Sequence, residues 1–337
     1  MPAQTTSQAV AKLLQRQPQQ PWLFDQQDGH PLLVINPDGQ ALTDLPAAAW
    51  CFHAGHAQHW SVHYCQPEPP ALESYQGVLL IVAKEQPLNQ YVLQQLLSLA
   101  PGRPIWLAGE KRGGVASLVK KLPKGYQAAQ KVASGNHCQL YQTSILEPTT
   151  APPLDSYLHS VNVELPDCKL QLQSLPGVFS RERLDAGTEL LLTALPAKLP
   201  GPITDFACGN GVIAAVLQQR QQPQLTLTDV NPMAIAAAQI NLTGANCTFY
   251  LNDGLPEELP PQNCIVSNPP FHTGLKTDYS IARQFIQSAY AKLRNKGQLY
   301  IVANRFLPWP DAIQQVFGNC QTIADNGKFC VYHAHRK

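Results

Sequence analysis

The chain has 337 residues, 44% of them hydrophobic and 14% charged, and its formal net charge is +1. This length exceeds one ordinary hydrophobic core and predicts two domains, for which the hydrophobic fraction is sufficient. No apolar run approaches the roughly 18 residues that cross a bilayer, which excludes a membrane-spanning chain. The net charge neither predicts nor excludes a nucleic-acid partner, so local clusters of charge have to decide.

The cysteines and the start of the chain indicate a reducing compartment. Nine cysteines form no C-x-x-C pair and no regular framework. The opening stretch MPAQTTSQAV is polar and lacks the hydrophobic core of a signal peptide. We therefore expect reduced thiols and a cytoplasmic protein.

The first half contains a strand, a helix and a second strand in succession. Apolar runs at 77–82 and 104–108 predict the strands, and leucines at helical spacing between Pro87 and Leu99 predict the helix. This order predicts a βαβ unit. An earlier apolar run at 32–35 predicts a further strand that ends in a turn.

Four histidines follow that earlier strand, at positions 53, 56, 59 and 63. No cysteine or carboxylate spacing beside His53, His56, His59 and His63 completes a recognised set of metal ligands. We expect these histidines on a mixed polar face, and we expect no metal site.

The segment from Arg103 to Lys131 is basic. It holds seven lysines and arginines against one acidic residue, an excess of six positive charges. Because charge is scarce elsewhere in the chain, this cluster indicates either a solvated helix face or a patch that faces phosphate groups. Both interpretations stay open at this point.

A proline-rich stretch, LEPTTAPPLDSY at 146–157, separates the two halves of the chain. Its low apolar content and its chain breakers are typical of a linker or a domain-edge loop. We predict a first domain over residues 1–155 and a second domain over residues 156–337.

The second half contains a glycine turn between a strand and a helix. The strand that starts at Ile203 enters the turn at Cys208, Gly209, Asn210 and Gly211, and the helix follows. Two glycines let the backbone approach a ligand, and the N–H groups at the helix start suit a carboxylate or a phosphate. The form D-x-x-C-G-x-G differs from the G-x-G-x-x-G of dinucleotide sites, which are the main alternative.

Two further predicted strands end beside acidic residues, Asp229 and Asp253. Asp229 lies 20 residues after Gly209. At this spacing the next strand of a nucleotide-binding sheet brings a carboxylate to ribose hydroxyls. Ordinary strand-end or helix-capping carboxylates are the alternative for both residues.

The buried run 264–266 leads into Asn268, Pro269, Pro270 and Phe271. Two prolines cannot continue a strand ladder, so the chain leaves the sheet at the strand's carboxyl end, where α/β sheets bind ligands. An Asn side chain with one acceptor and two donors, beside an aromatic face, suits a flat group that carries an amine. A proline turn with a packed Phe is the alternative.

The second half resembles the class I S-adenosylmethionine-dependent methyltransferases, and more narrowly the bacterial small-subunit ribosomal RNA guanine-N2 methyltransferases. The resemblance covers residues 176–337 and rests, in order, on PGVFSRERLDAGTELLL, DFACGNG, TDVNPMAIAAA, VSNPPFHTG and IVANRFLPWP. It implies an α/β fold of two tandem Rossmann-like methyltransferase domains, the first of them degenerate. It also implies methyl transfer from S-adenosylmethionine to the N2 amine of a guanine in 16S rRNA of the small ribosomal subunit.

The resemblance further implies which residues hold the cofactor. The methionine part would lie over the glycine turn, whose members are Cys208, Gly209, Asn210 and Gly211, with Asp205 near its ammonium group.

The remaining cofactor groups have implied partners as well. Asp229 would take the ribose hydroxyls, and Asp253 or its backbone neighbour would take the adenine amine. Phe179 and Gly187 match the segment that closes over the cofactor. Phe179 as an ordinary core residue is the alternative.

The turn after the fourth strand would hold the acceptor. The Asn268 oxygen and the Pro269 carbonyl would accept the two amine hydrogens, so that the nitrogen lone pair faces the methyl group. Pro270 belongs to the same rigid turn, and Phe271 would stack on a base pulled out of any helix. The proton leaves after transfer, so no strong general base is required.

The first half fits a copy of this fold that has lost its functional groups. When its strand, helix and strand are set beside the second half, Lys84, Glu85 and Gln86 take the place of Asn268, Pro269 and Pro270. We expect the first domain to support RNA binding. Two unrelated α/β domains are the alternative.

Other functions stay open at this point. A sister family that methylates large-subunit RNA has the same tandem layout, and protein glutamine methyltransferases use a similar turn. A non-catalytic RNA-binding scaffold is the alternative from outside the enzymes. For the oligomeric state we favour a monomer.

Overall fold

The computed structural model describes residues 5–16, 31–269 and 276–337. The chain divides into two compact units, the first ending at Leu158 and the second running from His159 to Lys337. No helix in these described ranges is long and apolar enough to span a membrane.

Within the described residues, the first unit contains seven strands and four helices of at most ten residues. Short 3-10 turns cover Leu72–Ser74, Leu96–Ser98, Val119–Lys121 and Leu154–Tyr157. The elements are α1 (Thr6–Gln15), β1 (Leu32–Ile35), β2 (Ala47–Trp50), α2 (Ala54–Ala57), β3 (His63–Tyr64), β4 (Gly77–Ile81), α3 (Gln86–Gln95), β5 (Ile105–Glu110), α4 (Val115–Leu118), β6 (Gln130–Gly135) and β7 (Cys138–Thr143).

The second unit begins with a β-hairpin and continues with a larger sheet and its helices. The elements are β8 (His159–Leu165), β9 (Cys168–Ser174), α5 (Ala186–Ala194), β10 (Ile203–Phe206), α6 (Val212–Gln221), β11 (Leu225–Asp229), α7 (Pro232–Asn241), β12 (Cys247–Leu251), β13 (Gln262–Ser267), α8 (Lys276–Lys292), β14 (Leu293–Asn304), α9 (Trp309–Phe317), β15 (Gln321–Asp325) and β16 (Phe329–His335).

Both units contain the same seven-stranded sheet. The strand order is β3-β2-β1-β4-β5-β7-β6 in the first unit and β12-β11-β10-β13-β14-β16-β15 in the second. In each sheet the first five strands pair in parallel and the last two add antiparallel pairings, so β7 and β16 each run opposite to the other six strands of their sheet. The predicted duplication of a Rossmann-like methyltransferase fold is therefore confirmed, and the alternative of two unrelated domains is wrong.

The second sheet is covered by helices on both faces, and apolar side chains of its central strands point to both of them. Along β13, Cys264 and Val266 pack in the layer that contains α5, α6 and α7. Ile265 points to the opposite face and packs against α8 and α9. This alternation follows from the two-residue period of a strand. The edge left uncovered is the one at the strand ends, where the loops lie.

The hairpin β8–β9 is fastened to the helices of the second unit. Arg220 of α6 forms an ion pair with Asp167 in the hairpin turn, with 2.8 Å between its Nε and Oδ2. The side chain of Asn241, at the end of α7, bonds to both the N–H and the carbonyl of Gln173 in β9. These contacts hold the hairpin beside the main sheet.

The basic segment does not form one continuous helix face. It contains the short helix α4, a 3-10 turn at Val119–Lys121 and the start of β6. Its lysines at 111, 120, 121, 124 and 131 are all exposed. The positive charge therefore lies on an exposed, turn-rich surface and not along one helix, and its exposure fits both a solvated face and a patch that faces phosphate groups.

The turn after β4 is closed by a buried side chain. Asn89 of α3, 1% exposed, accepts from the Ala83 N–H and donates to the Ala83 carbonyl, both over 2.8 Å. In this way one amide satisfies two backbone groups that the end of the strand leaves unpaired.

We predict that Asn89→Ala destabilises the first unit by about 2–4 kcal/mol, because two buried backbone groups lose their partners. Denaturant unfolding followed by tryptophan fluorescence measures this, since Trp50, Trp60 and Trp106 are buried in that unit. Gln90→Ala, on the same helix and half-buried, is the matched control and should change stability by about 0.5 kcal/mol or less. Equal stability of the two variants would contradict this role of Asn89.

Candidate active site

Three loops meet at one edge of the second sheet because three neighbouring strands run parallel. Strand β10 lies between β11 and β13, with Phe206 paired to Thr228 on one side and to Ser267 on the other. The Ser267 hydroxyl also donates to the Phe206 carbonyl over 2.8 Å. The loops after these strands are thereby held side by side at the ligand-binding edge of an α/β sheet.

The glycine turn after β10 is a left-handed loop that leads straight into α6. Ala207, Gly209 and Gly211 have φ values of 57°, 55° and 78°. A Cβ on Gly211 would lie 3.1 Å from the Ala238 Cβ, so the turn packs closely on α7. A Cβ on Gly209 would meet nothing within 4 Å, so this glycine faces open space. The turn therefore combines a tight inner side with an open outer side.

A cleft that opens to solvent lies over this turn. Among the predicted site residues, those that line the cleft are Phe179, Cys208, Gly209, Asn210 and Asn268. Val161 and Val163 of β8 and residues 180, 183, 184, 185 and 188 complete much of its wall.

Asp229 holds the glycine turn from the neighbouring strand. Its Oδ2 accepts from the Gly209 N–H and its Oδ1 from the Asn231 N–H, both over 2.9 Å. Burial raises the pKa of the carboxyl, while these backbone hydrogen bonds act in the opposite direction. Asp229 thus ties together the two loops that would surround a cofactor, although it does not line the cleft.

Asp205 is fully buried, whereas the family resemblance placed it near the ammonium group of the cofactor. It lies in β10, where Oδ2 accepts from the Ala214 N–H over 3.2 Å. Within the described residues no hydrogen-bond partner reaches Oδ1. Burial, with a contribution from nearby Asp229, raises the pKa of Asp205 to about 8. The carboxyl is therefore buried within the sheet and does not itself line the cleft.

Two other predicted cofactor residues lie outside the cleft lining. Asp253 is exposed in the turn after β12, where the preceding Asn252 donates its N–H to the Asp229 carbonyl. Gly187 is buried in the first turn of α5, and a Cβ there would lie 3.3 Å from Phe329. Gly187 accordingly permits α5 to pack closely on β16.

Phe179 is 55% exposed, although it is a large apolar side chain. It precedes Ser180, whose φ of 52° is left-handed, and both residues line the cleft. An exposed aromatic side chain at a cleft is a feature of binding sites rather than of a core. The interpretation of Phe179 as a core residue is therefore wrong.

Asn268 is half-buried, and its side chain is fixed by two groups from the start of α5. Its Nδ2 donates to Asp185 Oδ1 over 2.9 Å and to Thr188 Oγ1 over 2.8 Å. Pro269 is buried beside it. The predicted residues Pro270 and Phe271 lie outside the described residues.

Sequence reasoning missed Arg183, Asp185 and Thr188 as cleft residues. All three line the cleft with Asn268. Asp185 is the N-cap of α5 and accepts from the N–H groups of Gly187 and Thr188. An Asp just before an apolar helix signals a cap, but nothing local in the sequence indicates its contact with Asn268, 83 residues away.

Strand register shows which residues of the first unit correspond to this site. Ile35 ends β1 and Phe206 ends β10, and each precedes a residue with left-handed backbone, so the two are equivalent. Ile35 pairs with Leu80 of β4, and Phe206 pairs with Ser267 of β13. Ile81 is therefore the counterpart of Asn268, and the earlier placement of Lys84 opposite Asn268 is wrong by three residues. The aliphatic side chain of Ile81 lacks hydrogen-bonding groups for an amine.

Comparison with known families gives consistent matches to both halves. The profile of the Methyltransferase small domain family matches residues 169–333. The profile of the Methyltransferase small domain N-terminal family matches residues 25–161.

Two relatives match over nearly the whole chain. A ribosomal RNA small subunit methyltransferase C of Idiomarina loihiensis is 47% identical over 97% of this chain and 99% of its own length. A protein of the same name from Stutzerimonas stutzeri is 37% identical over 91% of this chain and 95% of its own length.

A solved structure has a similar fold over most of the chain. It is the T. thermophilus 16S rRNA N2 G1207 methyltransferase in complex with AdoMet and guanosine, with a TM-score of 0.81 and 23% identity over 97% of this chain and 92% of that one. From the matched profiles and the close full-length relatives, we conclude that this chain belongs to the ribosomal RNA small subunit methyltransferase C family.

Proposed function

We propose that this chain transfers a methyl group from S-adenosylmethionine to the N2 amine of a guanine in 16S rRNA of the small ribosomal subunit. The observation that carries the proposal is the fixed amide of Asn268 on the wall of a cleft that also contains the glycine turn. The names of the relatives support the RNA substrate, and the AdoMet and guanosine bound by the T. thermophilus protein support the two reactants.

The glycine turn and the acid beneath it fit the methionine part of the cofactor. Three residues of the turn line the cleft, namely Cys208, Gly209 and Asn210. Gly209 adds no side chain there, and Gly211 lets the turn pack closely on α7. The orphaned Oδ1 of Asp205 suits an ammonium group, which would also favour the charged carboxylate over the neutral acid. When bound, the cofactor supplies a methyl group on a sulfonium sulfur.

Further residues would hold the remainder of the cofactor. Asp229 would accept from the ribose hydroxyls with the lone pairs that its backbone bonds leave free. Asp253, in the adjoining turn, would take the adenine amine. Phe179 would cover the bound cofactor, while Gly187 would support the site through the packing of α5.

The acceptor amine would lie against Asn268 and Pro269. The Asn268 oxygen and the Pro269 carbonyl each accept one amine hydrogen, so the nitrogen lone pair points toward the methyl group. S-adenosylmethionine would supply the methyl group to N2 with its thioether as the leaving group, and the amine would release one proton to solvent. Pro270 would stiffen the turn, and Phe271 would stack on the flipped guanine.

The first unit would contribute to RNA binding. The basic segment exposes lysines on a turn-rich surface, and few acidic residues lie within the same stretch. Such a surface suits contacts to phosphate groups, which position an RNA without specifying its sequence. One chain contains all the groups named here, so we propose that it acts as a monomer.

We predict that Asn268→Ala keeps the affinity for S-adenosylmethionine but lowers the rate of methyl transfer about 100- to 1,000-fold, as the loss of an oriented polar group at a reacting centre does. Calorimetry measures the affinity, and tritiated-methyl transfer to small subunits measures the rate. Asp229→Ala is the opposite control, because losing hydrogen bonds to a charged group should weaken cofactor binding about 10-fold or more. Unchanged turnover in Asn268→Ala would contradict the role of Asn268.

We predict that changing Lys120, Lys121 and Lys124 together to Glu weakens RNA binding and flattens its dependence on salt. Each lost phosphate contact should lower the slope of log K against log salt by about 1. Filter binding at several salt concentrations measures the slope, and cofactor affinity should stay unchanged.

The matched control for this triple variant carries the same change in charge on the second unit. Lys169, Lys198 and Lys296 are exposed as well, and their joint replacement by Glu should have a smaller effect. Equal losses in the two variants would show that net charge alone matters and would refute a role for the basic segment.

A further inference from the structure

The amide of Asn268 is held so that its two ends are not equivalent. Both hydrogens of its Nδ2 have acceptors, Asp185 Oδ1 at 2.9 Å and Thr188 Oγ1 at 2.8 Å. Thr188 is 4% exposed, and it lines the cleft beside Asn268. The amide therefore directs its donor end toward α5 and leaves Oδ1 as the end that can accept.

The two acceptors select this orientation over the reverse one. An amide has nearly the same shape when its oxygen and nitrogen are exchanged, so hydrogen bonds decide which way it faces. In the reverse orientation Oδ1 would face the Asp185 carboxylate, which is an acceptor when ionised. The Thr188 hydroxyl can donate its own hydrogen to Asp185 Oδ1, 3.5 Å away. The lone pairs of the hydroxyl therefore stay available to accept from Asn268.

The acceptors are themselves rigidly placed. Asp185 caps α5 through the N–H groups of Gly187 and Thr188, at 2.9 and 3.0 Å. The next turn of α5 is anchored by Leu191 and Leu192, which are fully buried in the core. The helix start thus provides a fixed template against which the Asn268 amide is oriented.

We propose that Asp185 and Thr188 are positioning residues, which fix the Asn268 amide with its oxygen toward the acceptor amine. This inference rests on the proposed role of Asn268 in methyl transfer. Asp185 and Thr188 act through Asn268 and need no contact with the reacting atoms. Without them the amide would turn its own N–H groups toward the amine for part of the time, and two donors would then face each other.

The test compares Thr188→Val, Thr188→Ser and Asp185→Asn in the full-length protein. Valine keeps the shape of threonine but accepts no hydrogen bond, whereas serine retains the hydroxyl. Asparagine caps a helix about as well as aspartate, so Asp185→Asn keeps the start of α5 while adding a donor that can bond to the Asn268 oxygen.

Thr188→Val and Asp185→Asn should each lower kcat about 10-fold or more, as small misplacements of a catalytic group do. The dissociation constant for S-adenosylmethionine and the thermal unfolding midpoint should stay close to those of the wild type. Thr188→Ser should restore most of kcat. Equal losses of kcat in the valine and serine variants, or no loss in either Thr188→Val or Asp185→Asn, would overturn the inference.

A double-mutant cycle separates positioning from a general structural effect. In the Asn268→Ala background, Thr188→Val should lower kcat no further, because the group that it positions is already missing. An additive loss would overturn the inference. Full turnover in Asn268→Ala alone would instead refute the proposed function of Asn268, so the two failures are distinguishable.

Discussion

The site depends on one constraint, the central place of β10 between two parallel neighbours. Because β11 and β13 flank β10 in register, the glycine turn, the loop after Asp229 and the turn at Asn268 emerge at the same edge. Asp229 then joins two of these loops by accepting from Gly209 and Asn231. The third loop is joined through Asn268, which bonds to the start of α5. Residues far apart in the chain are thus placed around one cleft by backbone pairing and a few side-chain hydrogen bonds.

Comparison of the two copies shows which side chains the cleft requires in addition to the fold. Both sheets have the same strand order, yet the register places Ile81 at the position of Asn268 and Cys51 at that of Asp229. In the first copy, the carboxylate of Asp38 caps α1 by accepting from Thr6 and Ser7. The loop after its central strand therefore binds a helix of its own unit, while the matching turn in the second copy faces an open cleft. The loop at this edge of the sheet packs against a helix in the first copy, and the equivalent turn lines an open cleft in the second copy.

Much of this was predictable from the sequence, because strand runs, turn residues and motif order are local signals. Phe179, Cys208, Gly209, Asn210 and Asn268 were all singled out from the sequence, and they line one cleft. The burial of Asp205 and the packing of Gly187 on Phe329 were not predicted, since both depend on neighbours from other elements. Strands β2 and β3 lack β-branched residues and are short, and they form because β2 pairs with β1 and β3 pairs with β2. The hydrogen bonds from Asn268 to α5 span some 80 residues and have no local signature.

The central claim is that the second copy directs a methyl group to the N2 amine of a guanine in 16S rRNA. The most direct measurement is tritiated-methyl transfer from S-adenosylmethionine to ribosomal subunits from a strain that lacks this protein, followed by digestion and identification of the labelled nucleoside. We predict that the label appears as N2-methylguanosine from the small subunit and is lost with Asn268→Ala. Label in large-subunit RNA, in ribosomal protein or on another base would contradict the account.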